Sequence, residues 1–359
     1  MINLERNCGF RSMNVSNYFS QSRPLESLLR TRSSLGFNAN AKFRQNTSQK
    51  PLNNWKWTKR IGSALLCGIS YQTIKSKFDE NRYPPFGKMV DVGGYHLHLY
   101  CQGENGPSVI LDSGLGCSSL EWSLIQPEIA KTARVYSYDR AGLGWSEESP
   151  LPRTSQNCVH ELHTVLKKAN IPGPYLLVGH SFGGLNMRLF ANTYPEEVRG
   201  VVLVDSSHED TVNHLSFSKM HEAIGMAVSY SGLARLIATI PSYKKTFEMF
   251  PRDVQEIYLT QSKTNKNLRT HLKEASYLKE SSEQLKTSGG LLGDKPLIVI
   301  SAGKELEYFT QEKRDIFKSL QKDLVTKSTQ GKQIIAKESG HVVTREAPSV
   351  IIKAIQDLL

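Results

Sequence analysis

From residue 108 onward the chain repeats one pattern: a run of about four to six apolar residues, a turn signal, then a stretch of helical period. The runs are Ser108–Leu111, ARVYSYD (133–139), YLLVG, VRGVVLVD, PLIVIS (296–301) and KQIIA (332–336). Strands that are apolar at consecutive positions are covered on both faces, so the pattern predicts a mostly parallel sheet between layers of helices. Ahead of them, Met89–Val92 and Tyr95–Cys101 flank Gly93-Gly94, which reads as a β-hairpin. Helices are expected at 119–131, 155–169, Phe182–Tyr194, 311–325 and the C-terminus. The stretch 207–292 is too long for a loop within a compact domain. It carries helical patterns such as MHEAIGMAVSYSGLARLIATI, and reads as a helical cap inserted after the strand that ends at Asp205.

A formal charge of +11 raises the question of a nucleic-acid or membrane partner. The charge is local. Residues 1–60 carry eleven Lys/Arg against Glu5 and Glu26, a net of +9, which leaves +2 for the rest. No nucleic-acid partner is expected from a nearly neutral body. Five cysteines, scattered and without a CxxC pair, argue against a disulfide framework or zinc knuckle and fit a reducing compartment. Most are expected to be small buried hydrophobes.

Residues 1–54 are rich in Arg, Ser and Asn and poor in acids, a composition that suits a mitochondrial transit peptide. Leu25, Leu28 and Leu29 share a helical face there. A disordered basic arm that meets acidic lipid is the other reading, with another intracellular membrane as its address. Residues 55–80 follow as a short anchor-like segment. Its apolar part, Ile61–Ile74, is about 14 residues, short of the roughly 20 needed to span a bilayer. Trp55 and Trp57 precede it and Lys/Arg flank it, as in interfacial anchors. Membrane association through 55–77 and a helix packed on the body both remain open.

The chemistry is concentrated in LVGHSFGGL, residues 177–185. A strand runs into Gly179-His180-Ser181-Phe182-Gly183 and a helix leaves it, the setting that a nucleophile elbow requires. Gly179 and Gly183 are needed because the tight turn brings backbones together where a Cβ would clash. Serine needs a base, and His341, in ESGHVVTREAP after the strand KQIIA, falls at the same sheet edge. An acid must orient the imidazole. Asp205 stands at the tip of VVLV, while Glu305 and Glu307 lie on the loop after LIVIS. A carboxylate at a strand tip is better fixed, which favours Asp205. The oxyanion donors are expected to be the amides of Phe182 and of Leu115, the latter in the loop LDSGLGCS.

Together SGLG, YDRAGLGWS (138–146), LVGHSFGGL, VLVDSSHE and SGH resemble the α/β-hydrolase superfamily over 84–359. The likeness is to capped serine hydrolases of the esterase, lipase and thioesterase kind, some of which take their acid where Asp205 stands. Two departures are visible: Ser113-Gly114 replaces the common His-Gly before the oxyanion residue, and no Asp follows LIVIS. Serine at the elbow also argues against haloalkane dehalogenase and epoxide hydrolase chemistry, which use Asp there. The resemblance implies hydrolysis of an ester, thioester or lipid with an apolar acyl group, through an acyl-enzyme on Ser181 and without a metal or organic cofactor. Two alternatives are acyl transfer on the same triad and a non-catalytic small-molecule receptor.

Other features suggest less. His160, Glu161 and His163 read as a solvated helix face, and His96 and His98 as partly exposed hairpin residues. Asp139-Arg140 reads as a structural turn, and Met220, Met226 and Met249 as adaptable packing in the cap.

Overall fold

The computed structural model describes residues 54–214, 219–304 and 310–359. The basic stretch with Leu25, Leu28 and Leu29 lies outside them, as do Cys8, Glu305, Glu307 and the side chains of Trp55 and Trp57. Eight strands form one sheet: β1 (Lys88–Asp91), β2 (His96–Gln102), β3 (Ser108–Asp112), β4 (Arg134–Tyr138), β5 (Tyr175–His180), β6 (Val198–Val204), β7 (Leu297–Ala302) and β8 (Gly331–Ala336). Their order is β1-β2-β4-β3-β5-β6-β7-β8. The β1–β2 hairpin and the β2–β4 pair are antiparallel, and every other pairing is parallel.

Alternation along the central strands divides the core into two halves. Ile110, Leu177, Val201, Leu203 and Val299 face one side, where they pack with α3 (Ser155–Lys168) and α4 (Phe182–Thr193). Val109, Leu111, Val178, Val202 and Ile300 face the other, towards Trp122, α2 (Gln126–Ile129) and the C-terminal helices α12 (Val343–Glu346) and α13 (Pro348–Gln356). Consecutive apolar residues are therefore required in each strand, because both faces are dry. Thr154 caps α3 by accepting from Asn157 N, and Thr310 caps α11 (Gln311–Val325) by accepting from Lys313 N; each satisfies one of the free amides at a helix start.

The helix expected across 119–131 is divided. A 3-10 turn spans Ser119–Trp122 and α2 begins only at Gln126. Pro127 disfavours a continuous helix through the residue before it, and the break leaves Glu121 buried at 2% exposure. Between β6 and β7 stand α5 (Lys219–Tyr230), α6 (Leu233–Ile237), α7 (Pro241–Lys245), α8 (Arg252–Gln261), α9 (Asn265–Ser276) and α10 (Leu278–Thr287), in the segment where a helical cap is expected.

Helix α1 (Asn54–Glu80) belongs to the same compact unit as the body. Its attachment is polar: Gln72 Nε2 donates to Lys263 O and Asn265 Oδ1, and Asn265 N donates to Ser76 Oγ. Arg235 joins Gln72 and Asp79 from α6. Among the described residues no helix is long and apolar enough to cross a membrane. Cysteine placement differs from expectation: Cys158 is buried and Cys117 half-buried, but Cys67 and Cys101 are exposed.

Candidate active site

Ser181 sits between β5 and α4 with φ +52° and ψ −117°, a backbone conformation that a residue other than glycine rarely adopts. Neighbouring glycines make the turn possible. A Cβ on Gly179 would lie 2.5 Å from the Gly183 carbonyl carbon, and one on Gly183 would lie 2.3 Å from Asp112 O. Backbone bonds from Ser181 N to Val204 O and from Ser207 N to Ser181 O tie the turn to the end of β6.

Three loops at the carboxyl ends of parallel strands converge here. His341 Nε2 lies 3.1 Å from Ser181 Oγ, and His341 Nδ1 lies 2.6 Å from Asp205 Oδ2. Asp205 also has a positive φ, +38°. Its N–H donates to Ile300 O, and its second carboxylate oxygen accepts from Ala302 N at 2.9 Å. The carboxylate is thus held by the neighbouring strand while it faces the imidazole. The structure brings Ser181, His341 and Asp205 together; Glu305 and Glu307 fall outside the described residues.

The loop 113–118 lies beside this cluster. Gly114 N donates to Glu121 Oε2 at 2.7 Å and Gly116 N to Glu274 Oε2 at 2.8 Å. Among the described residues, the Leu115 N–H between them has no protein acceptor. Phe182 is the first residue of α4, so its N–H has no intrahelical acceptor either. Both amides expected as oxyanion donors therefore lack a protein acceptor among the described residues.

Several charged groups that motif reasoning passed over hold this arrangement. His180, next to the serine, has Nδ1 2.8 Å from Glu121 Oε1 and Nε2 2.9 Å from His341 O. Burial alone would raise the Glu121 carboxyl, but the His180 charge and the Gly114 N–H outweigh it and bring the pKa to about 2. Burial pulls His180 down, and the Glu121 carboxylate more than reverses this, so its pKa is raised. One carboxylate thus connects the loop 113–118, the serine turn and, through His180, the loop that carries His341.

Arg140 forms a second fastening. Its guanidinium donates to Asp112 Oδ1 at 2.6 Å, to Glu274 Oε1 at 2.7 Å, and to the carbonyls of Ser113 and Gly114. Burial raises the Asp112 carboxyl; that of Glu274 is lowered, because Arg140 overcomes the same desolvation. Glu274 belongs to α9, so the helical insertion is bonded directly to the loop. Asn267 and His271 lie on the same helix face. Asn267 Nδ2 donates to Gly116 O, and the His271 ring meets Leu115 O and stands against Gly116. His271 keeps exposed ring surface, yet the surrounding protein desolvates it and lowers its pKa.

Asp139-Arg140 is thus more than a backbone turn. Asp139 accepts from Ser119 N and Trp145 N and lies 2.9 Å from His98 Nδ1, with both side chains buried. His98 is therefore a core residue and only His96 is exposed, because the hairpin packs against Trp145. In the HELH stretch Glu161 is also buried, paired with Arg153; the helix face expected to be solvated is partly core. Met220 is 70% exposed and turned outward. No cluster among the described residues could hold a metal ion.

Residues 107–306 match the family model described as alpha/beta hydrolase fold. YqjL of Bacillus subtilis is 27% identical over 286 residues, covering 79% of this chain and 94% of its own. Among solved structures, the Cif epoxide hydrolase of Acinetobacter nosocomialis superposes with a TM-score of 0.61 at 17% identity, covering 79% of this chain and 95% of its own. The enol-lactonase of Burkholderia xenovorans gives 0.56 at 17% identity, covering 76% and 99%. The sheet order, the serine turn and these matches lead to one conclusion: the chain belongs to the alpha/beta hydrolase fold family.

Proposed function

We propose that the protein is a serine hydrolase that cleaves carboxylic esters or thioesters with an apolar acyl group. The observation that carries this reading is the unbroken contact from Ser181 Oγ through the His341 ring to Asp205. Ser181 Oγ attacks the acyl carbon as His341 Nε2 takes its proton. Asp205 holds the tautomer with Nδ1–H and stabilises the imidazolium. The tetrahedral oxyanion accepts from the Leu115 and Phe182 amides. His341 then gives its proton to the leaving oxygen or sulfur, and a water attacks the acyl-serine by the reverse path.

The apolar acyl group follows from the likeness of the sequence motifs to capped esterases, lipases and thioesterases. Epoxide hydrolysis is disfavoured despite the shared fold, since the nucleophile position holds serine. The same chain is proposed to be addressed to mitochondria by residues 1–54, which imaging of a tagged full-length protein would check.

A fluorophosphonate probe tests the chemistry. The wild type should be labelled at Ser181 and should hydrolyse some members of a series of acyl esters and thioesters. Labelling that persists in Ser181→Ala would remove the assignment. Tight ester binding without turnover would favour a receptor, and product formed on an added alcohol in place of water would favour acyl transfer.

A further inference from the structure

The polar and apolar sides of α1 are reversed. A surface helix normally turns its apolar stripe to the core and its polar residues to water. Here Gln72, Ser76 and Asp79 face the protein at 0, 3 and 6% exposure. Tyr71, Ile74 and Phe78 face outward at 59, 71 and 62%. Nearer the N-terminus of the helix Leu66 is 67% exposed on the flank of this face, and Leu65, 51% exposed, falls in register with Gln72 and Ser76. Clusters of this kind on a soluble surface mark a docking site.

The surroundings specify what docks. Over Asn54–Glu80 the helix carries Lys56, Lys59, Arg60, Lys75 and Lys77 against Asp79 and Glu80. The Lys75 ammonium stands 4.5 Å from the centroid of the Phe78 ring and 3.4 Å from Asp79 Oδ1, so its stem borders the apolar face while its charge is paired with the protein-facing carboxylate. The cations of the helix outnumber its acids by five to two, so a second copy of this chain would set like net charge against like, whereas an anionic surface would be attracted. The helix is too short in apolar length to cross a bilayer, and its inward side is already committed to the protein. Of the sixteen large apolar residues exposed among the described residues, five lie on α1 and six on residues 220–240. That second stretch meets α1 closely: a Cβ on Gly68 would lie 2.5 Å from Ser231 O.

We propose that the outward face of α1 docks on the surface of an anionic lipid bilayer, with the helix lying along the membrane. The inference does not depend on the hydrolase reading. The test is co-sedimentation of the full-length protein with phosphatidylcholine vesicles, with and without phosphatidylserine. A triple variant, Leu66→Gln with Ile74→Gln and Phe78→Gln, leaves the net charge unchanged. Wild type should bind mixed vesicles, more weakly as salt is raised, and the variant should bind at least about ten-fold less, since three apolar side chains lose their burial. Thermal melting of the variant at the wild-type temperature would show that the fold is intact. Equal binding by variant and wild type would overturn the proposal, as would wild type that sediments with neither vesicle. A wild-type dimer in sedimentation velocity that the variant dissociates would also overturn it, in favour of self-association.

Discussion

Two parts of the site reach their geometry by different means. Ser181, Asp205 and His341 each follow a parallel strand, and backbone bonds to neighbouring strands hold the first two. The loop 113–118 has no such frame. Its amides and carbonyls are held by Glu121, Glu274 and Arg140, whose side chains come from a 3-10 turn, from the helical insertion and from the loop after β4. The difference teaches that substitutions should separate: one set removes chemistry from an intact fold, whereas the other loosens the oxyanion loop or the protein around it.

The largest expected effect belongs to the first set. Asp205→Asn should lower kcat about 10⁴-fold, because the imidazole loses its correct tautomer. Glu305→Gln and Glu307→Gln should leave kcat near wild type; a large loss from either in steady-state assays would move the acid to that loop.

Arg140→Met comes next, and it breaks the comparison if the loop is held by other means. It leaves the carboxylates of Asp112 and Glu274 buried without their cation. Removal of one partner from a buried ion pair typically costs about 3–5 kcal/mol. Denaturant titration should show that loss, and an unchanged midpoint would mean that the guanidinium contributes little.

Glu121→Gln should have a smaller effect. It should lower kcat by about 10²-fold or less, below the loss typical of an oxyanion donor itself, with KM little changed. Labelling at Ser181 should slow in parallel. A change in KM alone would place Glu121 outside the positioning of the loop.

The smallest expected effect is a dependence on pH. The Glu121 carboxyl is lowered from an ordinary 4.5 to about 2, so its stabilisation is whole above 4.5 and is lost as pH falls through about 2. His180 is raised from 6.5, so its share is whole below 6.5 and is lost as pH rises through the raised value. The gap in melting temperature between wild type and Glu121→Gln should therefore be widest between 4.5 and 6.5 and narrow on both sides. A gap that fails to narrow both as pH falls towards 2 and as it rises well above 6.5 would mean that the pair is not charged in the folded protein.

What could be read from the sequence follows this division. The strands were legible because burial on both faces forces apolar runs, and β3 to β8 lie where those runs are. Ser181 and Asp205 were visible because each directly follows such a run. Glu121 and Glu274 were not visible. Each looks like an ordinary helical charge, and its meaning comes from a partner distant in sequence, His180 for Glu121 and the Gly116 amide for Glu274. His98 was misplaced for a similar reason: Asp139, on a loop after another strand, and the Phe86 carbonyl partner its two ring nitrogens and make a buried imidazole tolerable there. The one local signal for Glu121 was the pair of histidine and serine at 180 and 181, since a buried histidine beside a nucleophile needs a counter-charge.

The bond from Glu274 to Gly116 limits how this enzyme scaffold can be rebuilt. Insertions between β6 and β7 are attractive cassettes for chimeras meant to alter selectivity, but here α9 is hydrogen-bonded to the loop 113–118 beside the serine turn. A crossover that replaces 219–251 and retains Arg252–Ser276 should preserve the loop, because Gln261 on α8 also accepts from Ser118 Oγ. One that exchanges the whole insertion would have to import its own carboxylate for Arg140.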